Sequence, residues 1–252
     1  MTNAPDDVLI HVRDLAIGYG GVAIQRELEF DVQRGQIYLL LGGSGTGKST
    51  LLQHLIGLME PLAGTIEGPG APAGELAGRR PTSGVMFQGG ALFSSLTLRE
   101  NVAVPLETWT DLSPRHRSEV ADARLRLVGL GGFENHLPSE ISGGMKKRAA
   151  IARALALDAP LLFLDEPSAG LDPISAVELD DLLVLLRDDV GVTMVVVTHE
   201  LESIFRVGDR CLLLDADART AIAEGDPRRL RDESDDIRVR RFFHRLPAAT
   251  LR

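Results

Sequence analysis

The apolar residues of this chain gather in short separate blocks, and the spacing inside each block predicts its conformation. Gln36 to Leu41, Leu161 to Leu164 and Thr193 to Thr198 are nearly unbroken apolar runs of strand length. Each gives way to polar residues, at 42, 165 and 199. In a parallel sheet such ends share one rim, which is where α/β sheets bind ligands. Val8 to Ile17 and Glu27 to Val32 mix β-branched and polar residues as strands do, with shorter candidates at Gly64 to Glu67 and Ser83 to Phe87. Arg210 to Leu214 and Thr220 to Ala223 read as a closing hairpin around the turn Asp215 to Arg219.

Between these strands the period changes. A helix is predicted from Lys48 to about Gly57, and another from Asp172-Pro173, a good N-cap followed by a residue tolerated at the first helical position, through Leu186. From Leu98 to Leu157 apolar residues recur at three and four, with turn signals at Ser113-Pro114, Gly129 to Gly132 and Leu137-Pro138. This is expected to be a mostly helical subdomain, spanning 89–157, inserted into the α/β core. Asp236 to Leu246 alternates Ile, Val and Phe with arginines and suits a short amphipathic helix packed on the domain or on a neighbour. The Gly, Pro and Ala residues of 68–78 predict a loop.

Three stretches carry chemistry. Gly42-Gly43-Ser44-Gly45-Thr46-Gly47-Lys48-Ser49-Thr50 matches G-x-x-x-x-G-K-[ST] and stands between a predicted strand and a predicted helix, as a phosphate-binding loop must. Its glycines let successive backbone N–H groups turn inward, and the helix N-terminus adds partial positive charge. Lys48 is placed to reach the β- and γ-phosphates of a nucleotide, and Ser49 to hold Mg²⁺. Asp165, ending an apolar strand, fits the aspartate that holds the same ion. Glu166 is then positioned to polarise water as general base, and His199 to hydrogen-bond the γ-phosphate or that water.

The third stretch, Ser142-Gly143-Gly144 opening a helical run, is a second phosphate-binding helix end. One nucleotide cannot easily use both from a single subunit. Two chains facing head to tail are therefore expected, each presenting Ser142, Gly143 and Gly144 to the γ-phosphate held by the other.

Composition narrows the partners. A net charge of −9 over 252 residues counts against nucleic acid. The lone Cys211 forbids an intrachain disulfide and fits a reducing compartment. The N-terminus lacks a cationic segment followed by an apolar one, so no signal peptide is expected, and no apolar run approaches the ~20 residues that span a bilayer. Membrane association is thus expected through a partner.

From about Val8 to Asp226 these residues resemble the ATP-binding subunit of ABC transporters. The resemblance implies an ATPase domain over 8–226, with a RecA-like P-loop NTPase core of α/β class, an antiparallel β subdomain and the inserted helical subdomain, followed by a C-terminal helical extension over 227–252. It implies that Tyr19 stacks on adenine, that Gln88 touches Mg²⁺ and the permease, that Ser142 to Met145 is the signature, Ser168 to Asp172 the D-loop and His199 the switch histidine. Met145 stands where the commonest signature has Gln, and with Lys146-Lys147-Arg148, Phe87 to Thr97 and Asp165 to Ile174 it is similar to the Mla/Mce lipid-transport branch. That branch implies a homodimer through an ATP sandwich, an MlaE-like integral membrane permease, an MCE-domain protein and a place at the cytoplasmic face of the inner membrane. Another ABC importer or exporter is the alternative. An ABC ATPase acting on nucleic acid or ribosomes would usually carry coiled-coil insertions or two cassettes, and a GTPase an Asn-Lys-x-Asp stretch; the chain has none of these.

Overall fold

A computed structural model describes residues 7–69 and 81–246. From position 70 onward the expected Gly/Pro-rich loop lies outside the described residues, as do positions 247–252 of the C-terminal extension.

Two sheets face each other. Among the described residues the larger has six strands, in the order β5 (Ser83–Met86), β6 (Leu161–Asp165), β7 (Thr193–Val197), β3 (Ile37–Gly42), β8 (Arg210–Asp215) and β9 (Thr220–Gly225). All neighbours are parallel except β8 and β9, which form the expected antiparallel hairpin. The smaller sheet is antiparallel, in the order β2 (Val22–Gln33), β1 (Val8–Tyr19) and β4 (Ala63–Glu67). β2 begins five residues before the predicted Glu27, because Glu27 adopts a positive φ of 52° at a register shift rather than ending the strand.

The solid apolar runs make sense in this arrangement, since each central strand feeds two cores. Ile37, Leu39 and Leu41 of β3, Leu162 and Leu164 of β6, and Met194 and Val196 of β7 pack beneath the helices. Their alternates Tyr38, Leu40, Leu161, Phe163, Val195 and Val197 pack against the smaller sheet and α1 (Lys48–Leu55). A strand buried on both faces has no polar side to reveal its period.

Between β5 and β6 lie α2 (Leu98–Trp109), α3 (Pro114–Leu127), a 3₁₀ turn (Pro138–Glu140) and α4 (Gly143–Ala154). α2 starts at a full capping box, Thr97 with Glu100. α5 (Pro173–Asp188) starts at Asp172, whose carboxylate accepts from the Ile174 and Ser175 N–H groups, as the sequence predicts. One helix escaped the sequence reading, α6 (Leu201–Val207), which is under two turns and so without a readable period, while α7 (Pro227–Glu233) falls within the expected C-terminal helical extension. α8 (Ile237–His244) buries Val239 and Phe243 against the domain itself, with Phe243 beside Phe205 of α6. Among the described residues no helix is long and apolar enough to cross a membrane.

Candidate nucleotide site

The carboxyl ends of β3, β6 and β7 lie side by side, Leu40 and Asp165 both paired with Val197. The rim predicted from the three strand ends therefore exists. The loop after β3 is closed by steric need. Gly42 takes φ +150°, and a Cβ there would stand 2.6 Å from Thr46 Oγ1 and 2.8 Å from the Leu214 carbonyl. Gly47 caps α1 in a left-handed conformation without any side-chain cap, so the first N–H groups of the helix stay available. Lys48 Nζ donates to the carbonyls of Gly42 (2.9 Å) and Gly43 (2.8 Å), bending back over the loop it serves. Burial lowers its basicity, and the fields of Glu166 and Asp165 restore part of it.

A residue the sequence reading passed over steadies this loop. Gln25 of β2 is wholly buried, and its Nε2 donates to the Thr46 carbonyl (2.8 Å) and the Asp215 carbonyl (3.0 Å). A lone Gln within a strand carries no sequence signal.

Asp165 and Glu166 stand in different environments. Ser49 Oγ donates to Asp165 Oδ1 at 3.3 Å, setting a hydroxyl and a carboxylate together at the helix start. This oxygen pair fits Mg²⁺, which takes one or two protein oxygens and completes its shell with phosphate and water. Burial, then the neighbouring Glu166, raise the Asp165 pKa, while Ser49, Lys48 and Lys147 oppose them. Glu166 has a left-handed backbone (φ 50°), rare outside glycine, anchored by its N–H to the Val197 carbonyl at 2.9 Å. Its Oε1 accepts from His199 Nδ1 at 2.8 Å, while its Oε2 is buried with no partner among the described residues.

A cavity of about 510 Å³ opens here, lined by Gly42, Gly43, Ser44, Lys48, Glu166 and His199 together with Leu201, Phe242 and Arg245. Phe242 and Arg245 come from α8 and its C-cap, a wall that amphipathic spacing alone could not place. The other candidates divide. Gly45 (φ +78°) and Thr46, whose hydroxyl donates to the Gly43 carbonyl, shape the loop. Tyr19 is half exposed at the end of β1, its hydroxyl bonded to Thr50 Oγ1 (3.1 Å) and Gln53 Oε1 (3.2 Å) beside α1, outside the cavity lining. Gln88 is exposed and also outside that lining; its backbone carbonyl accepts from Lys147 Nζ at 2.6 Å. Ser142 caps α4, accepting from the Met145 N–H at 3.2 Å, and Ser142 and Gly143 are exposed away from the cavity.

The sequence profile of the ABC transporter family matches residues 25–169, which takes in the phosphate loop, the Ser142 helix end and the Asp165–Glu166 pair. The chain belongs to the ABC transporter family. Among its relatives, the probable ribonucleotide transport ATP-binding protein mkl of Mycobacterium leprae is 38% identical over 95% of this chain and 70% of that protein. The intermembrane phospholipid transport system ATP-binding protein MlaF of Haemophilus influenzae is 37% identical over 93% of this chain and 90% of its own. A dimeric ATP-binding cassette in a post-hydrolysis state, bound to ADP and Pi, superposes with a TM-score of 0.75 at 27% identity over 86% of this chain and 98% of that one. This ABC protein is accordingly an ATPase of P-loop NTPase fold that uses ATP with Mg²⁺.

Proposed function

We propose that this ABC ATPase energises a lipid-transport system and works as a head-to-tail pair closed over two nucleotides. One observation carries the pairing: the Ser142 helix end is exposed and outside the cavity that Lys48 lines, so a nucleotide seated there needs a second copy to meet it. The solved cassette with ADP and Pi is likewise described as dimeric.

In this reading the loop amides and Lys48 hold the β- and γ-phosphates, and Tyr19 lies on the adenine side. Ser49 and Asp165 would hold Mg²⁺, with Gln88 joining when the pair closes; the ion supplies charge neutralisation at the phosphate oxygens when bound. Glu166 accepts a proton from the attacking water through Oε2, the oxygen without a partner among the described residues, while His199 fixes the carboxylate through Oε1. Ser142, Gly143 and Gly144 of the twin complete the γ-phosphate site.

Lipid cargo is favoured by MlaF, named for phospholipid transport and aligned along nine-tenths of its length. The name of mkl offers ribonucleotide as the rival cargo. An MlaE-like permease would bind the exposed surface around Gln88, Phe87 and Phe93, placing the subunit at the cytoplasmic face of the inner membrane, with an MCE-domain protein beyond. The Glu166→Gln chain, mixed with MgATP, is expected to double its mass by light scattering, and adding Ser142→Arg should keep it monomeric with ATP bound. A mass unchanged by MgATP defeats the pairing. After reconstitution with its permease, ATP-driven transfer of a fluorescent phospholipid is expected; transfer of ribonucleotide alone would reverse the choice of cargo.

A further inference from the structure

Lys147 lies on the buried side of α4, 9% exposed, on the helix whose first turn carries the signature. Its ammonium meets two backbone carbonyls from different segments: Gln88 at 2.6 Å and Glu166 at 3.4 Å. Three segments with separate tasks thus converge on one cation. Burial destabilises that charge, and the carboxylates of Glu166 and Asp165 are the groups that favour it. A long flexible side chain is ordinarily placed with its charge in water. Holding it inward at this point needs a compensating interaction, and the two carbonyls supply it.

Glu166 is where such a contact has leverage. Its left-handed backbone persists only if its surroundings over-determine it. The N–H is held by Val197, and the carbonyl accepts from the Ala169 N–H at 3.2 Å and from Lys147. Val197 belongs to the core sheet, whereas Lys147 belongs to the inserted helices. Farther along α4, Arg153 donates to the carbonyls of Gly90 (2.8 Å) and Ala91 (2.7 Å), so that helix and the segment after Gln88 are tied into one unit. Of these two α4 cations, only Lys147 also reaches the strand end that bears Glu166.

We propose that Lys147 is a positioning residue, through which the placement of α4 sets the backbone, and so the carboxylate, of Glu166. In the paired arrangement proposed above, on which this part rests, a nucleotide gripped by Ser142 in one pocket steadies α4 and thereby readies Glu166 for the other.

The test is a double-mutant cycle on the full chain, in the form that shows ATPase activity. Lys147→Met is expected to lower kcat at least ~10-fold while the ATP Kd stays within ~2-fold, and Lys147→Arg, which keeps a buried cation, to recover kcat to within ~3-fold. In single-turnover measurements on the Glu166→Gln background, Lys147→Met should cost little further, because the group it positions is already lost. Equal kcat losses in both backgrounds, parental kcat in Lys147→Met, or a Lys147→Arg as slow as Lys147→Met would each overturn the proposal. Should Lys147→Met not fold, Lys147→Gln replaces it in the same cycle. Ser142→Arg run alongside separates the two claims. If it turns over normally, the pairing fails, while the cycle still reads the link within one chain.

Discussion

His199 and Glu166 meet through one hydrogen bond, Nδ1 to Oε1 at 2.8 Å, and the other Glu166 oxygen is shut from solvent without a donor among the described residues. An unpaired buried polar atom costs on the order of 1–3 kcal/mol, and more for a charged one, so this oxygen is built to receive something. A water against the γ-phosphate is such a donor. Glu166→Gln keeps the shape and the His199 contact while removing the base. Turnover should fall by about 10² to 10⁴ with ATP affinity nearly unchanged. Phosphate release and equilibrium nucleotide binding check this, and parental turnover would remove Glu166 from the role.

Gln25 makes a prediction outside the motifs. Replacing it by Leu strips the Thr46 and Asp215 carbonyls of their shared donor in a buried place. The expected loss is about 1–3 kcal/mol of stability. Because Thr46 belongs to the phosphate loop, ATP affinity should fall as well. Thermal melts with and without MgATP measure both, and a variant that melts like the parent would show the two carbonyls to be satisfied otherwise.

Asp180 of α5 predicts a pH effect. It is buried beside Ser203 of α6, and burial pushes its carboxyl from 3.8 up to about 6, with Ser203 and Arg206 pulling the other way. The folded chain therefore binds more protons than the unfolded one between pH 4 and 6. Stability falls as pH rises through that window, and the penalty is complete above it. Asp180→Asn should melt higher than the parent at pH 8, by roughly 2–4 °C for each kcal/mol regained, and the gap should close toward pH 4. A gap that is constant with pH would mean that the gain comes from something other than the charge.

How much of this was legible in the sequence depended on whether a residue belongs to a local pattern. The loop from Gly42 to Thr50 declares itself because its glycines and Lys48 act within a few residues of one another. The strands ending at Gly42 and Asp165 were readable because burial on both faces removes polar residues altogether. By contrast Gln25 acts on Asp215 and Lys147 on Gln88 and Glu166, and Arg245 lines the same cavity as the phosphate loop. Such partners are brought together only by the completed sheet, and a single glutamine or lysine looks the same wherever it points. α6 was missed for a different reason, being too short to show a helical period.

The C-terminal helix gives the last prediction. Phe243 is 3% exposed, 5.8 Å from the Phe205 ring and 5.2 Å from Phe242, and with Val239 it holds α8 to the domain. A buried Phe cut to Ala ordinarily loses about 3–5 kcal/mol. A peripheral helix can instead come away locally, which limits the loss to its own docking energy. Phe243→Ala should therefore leave the main melting transition nearly in place while amide exchange quickens across 237–244. Undocking carries off Phe242 and Arg245, one wall of the nucleotide cavity, so the ATP Kd should rise several-fold. Arg245→Ala alone should raise the Kd less and leave exchange unaltered. Fast exchange in Phe243→Ala with parental ATP affinity would mean that α8 borders the pocket without contributing to it.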